Sequence, residues 1–116
     1  MKTTKQQYSV GLRVWINEAH GHFMGNGRVQ LLKNIMETGS ITKAAKAMEM
    51  SYRQAWQMVQ DMNERSPKPL VAKMLGGKGG GGAMVTETGE KAIAMFTRIE
   101  EETMRYAKKL SKIIKL

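Results

Sequence analysis

The chain combines an ordinary globular composition with a strong positive charge: it has 116 residues, 41% of them hydrophobic, and a net charge of +9. This hydrophobic content excludes a largely disordered chain, and the absence of cysteine excludes disulfides and thiolate metal sites. The polar N-terminus predicts no signal peptide, and the lack of an apolar run near about 18 residues predicts no membrane span. We therefore expect a cytoplasmic protein.

The first predicted element is a β-strand over residues 8–16, because β-branched and aromatic residues dominate this stretch. Residues 17–27 are rich in glycine and asparagine and are predicted to form a loop. Two histidines, His20 and His22, lie in this loop, but the chain contains no other histidine and no cysteine to complete a closed metal site. We expect neither a metal nor another cofactor.

Three helices are predicted next. The first covers residues 26–38, where Val29, Leu32, Ile35 and Met36 recur at helical spacing, and Gly39 follows it as a C-terminal cap. Two short helices occupy residues 40–64, and each is preceded by a serine suited to the N-cap position, Ser40 or Ser51. The residues predicted to be buried in this pair are Ile41, Ala44, Ala45, Met48, Ala55, Met58, Val59 and Met62. Such a pair indicates a helix-turn-helix.

The second helix of the pair carries long hydrogen-bond donors on its other faces. Such a helix is typical of one that lies in a DNA major groove. Arg53 suits bidentate pairing with a guanine edge, and Gln54 and Gln57 suit adenine. We expect phosphate contacts from Thr42, Lys43, Lys46, Ser51 and Tyr52. Trp56 adjoins the predicted buried stripe, and we interpret it as a core residue.

A β-hairpin, called the wing below, is predicted over residues 70–86. Its two short strands flank the glycine run Gly76-Gly77-Lys78-Gly79-Gly80-Gly81-Gly82. Glycine costs backbone entropy, so the run favours a close approach of bare backbone to nucleic acid, with Lys73 and Lys78 as the contacting charges. A phosphate-binding P-loop is excluded, because the position after Lys78 holds Gly79 rather than serine or threonine.

A long helix is predicted over residues 87–114, with Thr86 as its N-cap. Its apolar stripe is longer than a small helical core can cover, so we expect a symmetric dimer through this helix. The predicted interface residues are Ile93, Phe96, Ile99, Thr103 and Leu110. The order of elements predicts a mainly α chain with a small β-hairpin (α+β): a winged helix-turn-helix in a single domain over residues 1–116, with a long C-terminal dimerisation helix.

The positive charge is concentrated where a polyanion would bind. Between Thr38 and Thr86 the chain has seven basic residues and three acidic ones, and five more basic residues lie between Arg105 and Leu116 without any acid. Because neutralising phosphates releases counterions, this distribution favours double-stranded DNA as the partner.

Several segments of the chain carry a family resemblance. They are Thr38-Gly39-Ser40-Ile41-Thr42-Lys43-Ala44-Ala45, Met50-Ser51-Tyr52-Arg53, Ala55-Trp56, Met62-Asn63, the glycine run through Ala83, and Thr86-Glu87-Thr88-Gly89. They resemble the DNA-binding domain of the molybdate-dependent regulator ModE and, more distantly, the N-terminal domains of LysR-type regulators. The resemblance covers about Tyr8 to Ile99 and implies a dimeric, sequence-specific bacterial or archaeal transcriptional regulator.

ModE proteins also carry C-terminal oxyanion-binding domains. Here we expect no molybdate-binding domain, so a molybdate signal would have to come from an effector protein.

Two other classes of function are compatible with the same residues. One is an architectural nucleic-acid-binding protein that uses the basic surface without sequence choice, and the other is a protein-interaction module that uses the C-terminal helix. An enzyme is not expected, because both histidines lie in one loop and no Ser-His-acid arrangement is suggested.

Overall fold

A computed structural model describes residues 6–74 and 82–116 of the protein. Within them the chain forms β1 (Ile16–Glu18), β2 (Gly21–Met24), α1 (Asn26–Thr38), α2 (Ile41–Ala47), α3 (Tyr52–Glu64), β3 (Val71–Lys73), β4 (Ala83–Val85) and α4 (Glu87–Ser111). The winged helix-turn-helix, of α+β class, is therefore confirmed. The predicted wing tip, including Lys78, lies in residues 75–81, outside the described parts of the chain.

The N-terminal region differs from the prediction. Residues 8–15 have no strand pairing, and β1 begins only at Ile16. It pairs antiparallel with β2 through the turn Ala19-His20, within the stretch predicted to be a loop. The segment instead contacts a helix: the backbone N–H of Val10 donates to Ser111 Oγ on α4 at 2.8 Å. The segment before β1 is thus held by a helix rather than by a partner strand.

Helices α1, α2 and α3 begin and end close to the predicted positions because their capping residues act as expected. Gly39 ends α1 with φ 68°, a left-handed conformation in which glycine carries no Cβ penalty. The Ser40 hydroxyl accepts from the Lys43 backbone N–H and the Ser51 hydroxyl from the Gln54 N–H, both at 3.1 Å. These caps satisfy amide groups that a helix leaves without partners.

One core joins the helices to the wing. Its largest fully buried side chains are Met24, Leu31, Leu32, Ile35, Met62, Leu70 and Phe96. Leu31 was not predicted; it is buried because α1 also packs against β4 and α4. Met36 was predicted to be buried but is 50% exposed, because it is rotated by about 100° around α1 from the fully buried Ile35.

Trp56 is not the core residue that the sequence predicted. It is 37% exposed, whereas its neighbour Ala55 is fully buried. Successive helical residues are rotated by about 100°. Trp56 therefore lies beside the buried line of α3 rather than on it.

The wing is anchored to the rest of the domain by backbone contacts. Strands β3 and β4 pair antiparallel, with Val71 opposite Val85 and Lys73 opposite Ala83. The Thr86 N–H closes the base of the wing by donating to the Leu70 carbonyl at 2.9 Å, and the Ala83 N–H joins the wing to the end of α1 by donating to the Gly39 carbonyl at 3.0 Å. The wing therefore has a fixed position relative to α1 and α2.

Helix α4 has 25 residues and is about 37 Å long at 1.5 Å per residue. Its N-cap is Thr86, whose hydroxyl accepts from the Gly89 N–H at 3.1 Å. A Cβ on Gly89 would lie 2.4 Å from the Leu70 carbonyl oxygen, so only glycine permits this approach of α4 to the wing. None of the helices in the described residues is long and apolar enough to cross a membrane.

Phe96 requires a correction to the predicted dimer interface. It is 1% exposed and belongs to the core of its own chain. The stripe of α4 predicted to meet a partner therefore includes one residue that is already buried. The other four predicted residues keep exposed surface: Ile99 is exposed, and Ile93, Thr103 and Leu110 are half-buried.

Candidate nucleic-acid interface

Most residues predicted to bind DNA lie on the outer surface of the helix-turn-helix and wing. The nine within the described residues are all exposed: Thr42, Lys43, Lys46, Ser51, Tyr52, Arg53, Gln54, Gln57 and Lys73. The apolar side of α3 faces the core through Ala55, Val59 and Met62. Because Arg53 and Gln57 are about half a helical turn from that side, they project farthest from the domain.

A groove along α3, here called the readout groove, collects four of these predicted residues. Its volume is 530 Å³, and its lining comprises Arg28, Ser51, Arg53, Gln54, Gln57, Met58 and Asp61. Arg53 supplies a guanidinium, and Gln54 and Gln57 supply amides that both donate and accept. These groups match the hydrogen-bonding edges of bases in a major groove.

A second groove, here called the wing groove, joins the other side of α3 to the wing. It has a volume of 350 Å³ and is lined by Ser40, Ile41, Thr42, Tyr52, Lys73, Met74, Gly82 and Ala83. Tyr52 and Arg53 are consecutive residues, so the two grooves meet at the first turn of α3. Lys43 and Lys46 line neither groove; they are exposed on α2.

An ion-pair network fixes the far side of the readout groove. Arg28 on α1 contacts Asp61 at 2.7 Å, and Arg65 contacts Asp61 at 3.1 Å and Glu18 at 3.2 Å. Arg28 also donates to the carbonyl oxygens of His22 and Phe23 at 3.1 and 3.0 Å. The network ties the N-terminal hairpin and α1 to α3, and two guanidinium groups offset the carboxylate of Asp61 in the groove.

These contacts change the protonation equilibria of the network. Burial raises the pKa of Asp61, but the hydrogen bonds from Arg65 and Arg28 outweigh it and leave that pKa below its usual value. The pKa of Glu18 is also lowered, chiefly by the backbone N–H of His20 and further by Arg65. Burial and the charge of Arg28 lower the pKa of His22. Asp61 and Glu18 are therefore ionised at neutral pH, as the ion pairs require.

Acid should weaken the fold through these carboxylates. Because both pKa values are lowered by folding, their stabilisation is complete above the ordinary carboxyl range and is lost between about pH 5 and pH 2. We expect Asp61→Asn to be less stable than the wild type at pH 7 and to approach it at low pH. Urea unfolding across this range measures the difference, and a gap that stays constant with pH would contradict it. His22 does not cancel in the comparison, because the charge of Asp61 raises its pKa; the carboxyl contribution is therefore measured at pH values below the histidine range.

Asn63 at the end of α3 was not assigned a role from the sequence, yet it holds the wing. Its Oδ1 accepts from the N–H groups of Leu70 (2.8 Å) and Val71 (3.2 Å), and its Nδ2 donates to the Val71 carbonyl at 3.1 Å. Its sequence position gave no sign of this, because the partners lie after the turn that contains Pro67 and Pro69. Arg28 was missed for a similar reason, since its partner Asp61 is remote in the sequence.

Removing the Asn63 side chain should loosen the wing. In Asn63→Ala, two backbone N–H groups lose their acceptor, and we expect the free energy of unfolding to fall by about 1–3 kcal/mol. Asn63→Asp keeps the acceptor and serves as the matched control, with a smaller loss. Chemical denaturation of both variants tests this; equal stability of Asn63→Ala and the wild type would show that the clamp contributes nothing.

The described residues contain no group of three histidine, cysteine, aspartate or glutamate side chains placed to hold a metal ion. The histidines contribute differently: the His22 carbonyl accepts from Arg28, and the His20 N–H donates to Glu18 at 2.9 Å. The surface around α3 and the wing is therefore the candidate functional site.

Comparison with known proteins agrees with this geometry. Residues 27–90 match the family of bacterial regulatory helix-turn-helix proteins of the lysR type. The molybdenum-pterin-binding protein MopB of Rhodobacter capsulatus is 42% identical over 99 residues, which are 85% of this chain and 37% of that protein. The transcriptional regulator ModE of Yersinia pestis is 48% identical over 69 residues, 60% of this chain and 26% of that protein.

The fold also has a counterpart among solved structures. The crystal structure of a LysR family transcriptional regulator superposes with a TM-score of 0.52 over 67% of this chain and 25% of that one, at 18% sequence identity. The chain spans about a third or less of the length of these relatives, from 25% to 37%. This chain belongs to the lysR family of bacterial regulatory helix-turn-helix proteins, and part of it is similar in sequence to ModE.

Proposed function

We propose that the protein is a sequence-specific DNA-binding transcriptional regulator that uses α3 for base readout and the wing for backbone contacts. The observation that carries this proposal is that the readout groove and the wing groove meet at the first turn of α3. A single rigid surface therefore presents Arg53 and Lys73 together. Family membership supports the same function, and a regulator acting on chromosomal DNA would work in the cytoplasm.

The exposed residues divide into two roles. Arg53, Gln54 and Gln57 line the readout groove, and we assign them to base edges because their side chains can pair bidentately. The N–H of Gln54 is used by the Ser51 cap, which leaves its side-chain amide for a base. We assign phosphate contacts, which set position and register, to Thr42, Lys43, Lys46, Ser51, Tyr52 and Lys73.

Selection of binding sites from a pool of random duplexes tests this proposal against nonspecific binding. A specific regulator should enrich one motif and prefer it over random sequence by about 10³-fold or more at physiological salt. An architectural protein should bind every duplex with similar affinity and enrich no motif. Absence of DNA binding would instead favour a protein-interaction role for α4.

We further propose that the regulator is a homodimer formed through α4. Exposed Ile99 (39%) and Tyr106 (57%) lie with Thr103 at intervals of four and three residues, so they share one face of the helix. Together with Arg98 and Glu102 they line a shallow, mainly apolar groove. An unpartnered stripe of this kind suits the same stripe of a second chain.

Light scattering tests the dimer. We expect twice the chain mass of 13.0 kDa at micromolar concentration, and a lower mass for Ile99→Asp, because that substitution places a charge in the stripe. Monomeric wild-type protein would refute the dimer. A palindromic motif from the duplex selection would support it independently, because half-site spacing reflects the two-fold symmetry of the protein.

The name of the relative MopB associates that protein with molybdenum. We propose that transcriptional regulation by this protein is linked to molybdate through an effector protein. Binding to the selected duplex with and without molybdate, and with cell extract added, tests the link. Direct molybdate dependence of the purified protein would exclude the need for an effector.

A further inference from the structure

Trp56 is a large exposed side chain that the roles above do not use. It is 37% exposed on α3 and belongs to neither the buried core nor the partly buried residues packed against it. Its place on the helix that carries the readout residues makes it a candidate contact, because the ring stands beside Arg53 and Gln57 on the outer side of α3.

Helical geometry shows which side of α3 carries Trp56. At about 100° per residue, Tyr52, Trp56 and Asn63 share one flank of the helix. Tyr52 lines the wing groove and Asn63 hydrogen-bonds to Val71 on β3, so this flank is the one that faces the wing. Asp61 lies on the opposite flank, with Arg28 and Arg65.

The charges near this flank select the kind of partner. Arg53 and Gln57 project on one side of Trp56, Lys73 is exposed on the wing, and Asp61 is held by its ion pairs on the far flank. An indole combines an apolar face with one N–H donor. The apolar face fits a deoxyribose, and the N–H fits the phosphate next to it. A purely apolar partner would leave the N–H without an acceptor, and an acidic partner would leave the apolar face uncovered.

We propose that Trp56 contacts the DNA strand that passes between α3 and the wing, with its ring against a deoxyribose and its Nε1–H donating to a phosphate. The inference rests on the proposed function and adds a position-setting contact to it. Because sugar and phosphate carry no base identity, Trp56 would strengthen binding to selected and random duplexes alike.

Fluorescence tests the contact directly, because the chain contains two tryptophans. The other, Trp15, lines a groove with Glu100, Thr103 and Met104 of α4; that groove shares Arg28 and Met58 with the readout groove but does not include Trp56. In Trp15→Phe, which leaves only Trp56, adding the selected duplex should change the emission and reduce quenching by acrylamide. In the matched Trp56→Phe protein, the remaining Trp15 should show neither change. Unchanged quenching of Trp56 on saturation with DNA would overturn the proposal.

Affinity measurements separate contact from folding. Trp56→Ala should bind both the selected and the random duplex about tenfold more weakly, the size expected for a lost hydrogen bond to a charged group. The affinities are compared at a temperature at which thermal melting shows that each variant is folded. Trp56→Phe should show an intermediate loss and covers the case in which the alanine variant fails to fold.

Three results would contradict the proposal: affinity within twofold of the wild type, a loss restricted to the selected duplex, or a drop in dimer mass that explains the weaker binding. If the wild type binds DNA and the Trp56 variants bind it equally well, this inference alone is overturned. Failure of the wild type to bind any duplex would overturn it together with the proposed function.

Discussion

Replacing Phe96 by alanine is expected to lower the free energy of unfolding by about 3–5 kcal/mol, because it removes a buried ring and leaves a cavity. Phe96 is 1% exposed and packs in the core with residues of α1 and the wing. Such a loss is a large part of the stability of a small domain, typically about 5–15 kcal/mol. Urea unfolding followed by circular dichroism measures it.

Ile99→Ala is the matched control on the same helix. Ile99 is 39% exposed in the single chain, so the substitution should change the stability of the protomer little while weakening the proposed dimer. Phe96→Ala should lower the stability of the protomer but leave the dimer mass unchanged, provided that the mass is measured where the variant is still folded. If Phe96→Ala reduced the mass without reducing stability, the placement of Phe96 in the core would be wrong.

Replacing Arg53 by alanine is expected to weaken binding to the selected duplex by about 1–3 kcal/mol, with little effect on random sequence. The guanidinium is exposed at the outermost side of α3 and lines the readout groove. Competition titration with both duplexes measures the ratio of the two affinities. Equal losses on the two duplexes would remove Arg53 from base readout.

Lys73→Ala is the control for the phosphate contacts. The exposed ammonium on β3 should act on every sequence equally, so its loss should weaken both duplexes and reduce the slope of log affinity against log salt by about one unit. An unchanged salt slope would mean that the wing strand does not contact the phosphates. Arg53→Ala and Lys73→Ala together distinguish base readout from contacts with the phosphates.

The parts of the fold that depend on local sequence could be predicted. Ser40, Ser51 and Thr86 cap their helices through hydrogen bonds to the third residue along, and Gly39 adopts the left-handed cap. These interactions involve neighbours in the chain, so the residue types determine them. The wing strands also form as predicted, since turn-forming residues bound short apolar runs.

The errors share a physical cause, which is packing between remote elements. An extended, alternating segment was predicted to be a strand before Ile16, but its hydrogen-bond partner is Ser111 on α4. Phe96 belongs to the predicted apolar stripe of α4, and only the tertiary structure shows that it faces the core of its own chain. Trp56 follows Ala55 directly and is rotated from it by about 100° around α3. Helical spacing alone does not show that Ala55 is buried and Trp56 is exposed.

The candidate site was predictable in its residue types but not in its arrangement. Long hydrogen-bond donors on the outer faces of the helix pointed to α3 as the contacting helix. By contrast, the ion pairs that position it link Glu18, Arg28 and Asp61, which are far apart in sequence. The clamp between Asn63 and the wing likewise forms across a turn.

Site-directed DNA cleavage tests the central claim, that α3 and the wing contact one duplex from the same rigid surface. The chain has no cysteine, so Gln60→Cys on α3 and Met74→Cys beside the wing each provide a unique attachment point for an iron chelate, with Glu101→Cys on α4 as the control. On the selected duplex, the first two should cut within about one helical turn, ~10 base pairs, of each other, and the control should not cut. Cleavage from only one of the two, or equally from Glu101→Cys, would contradict the account.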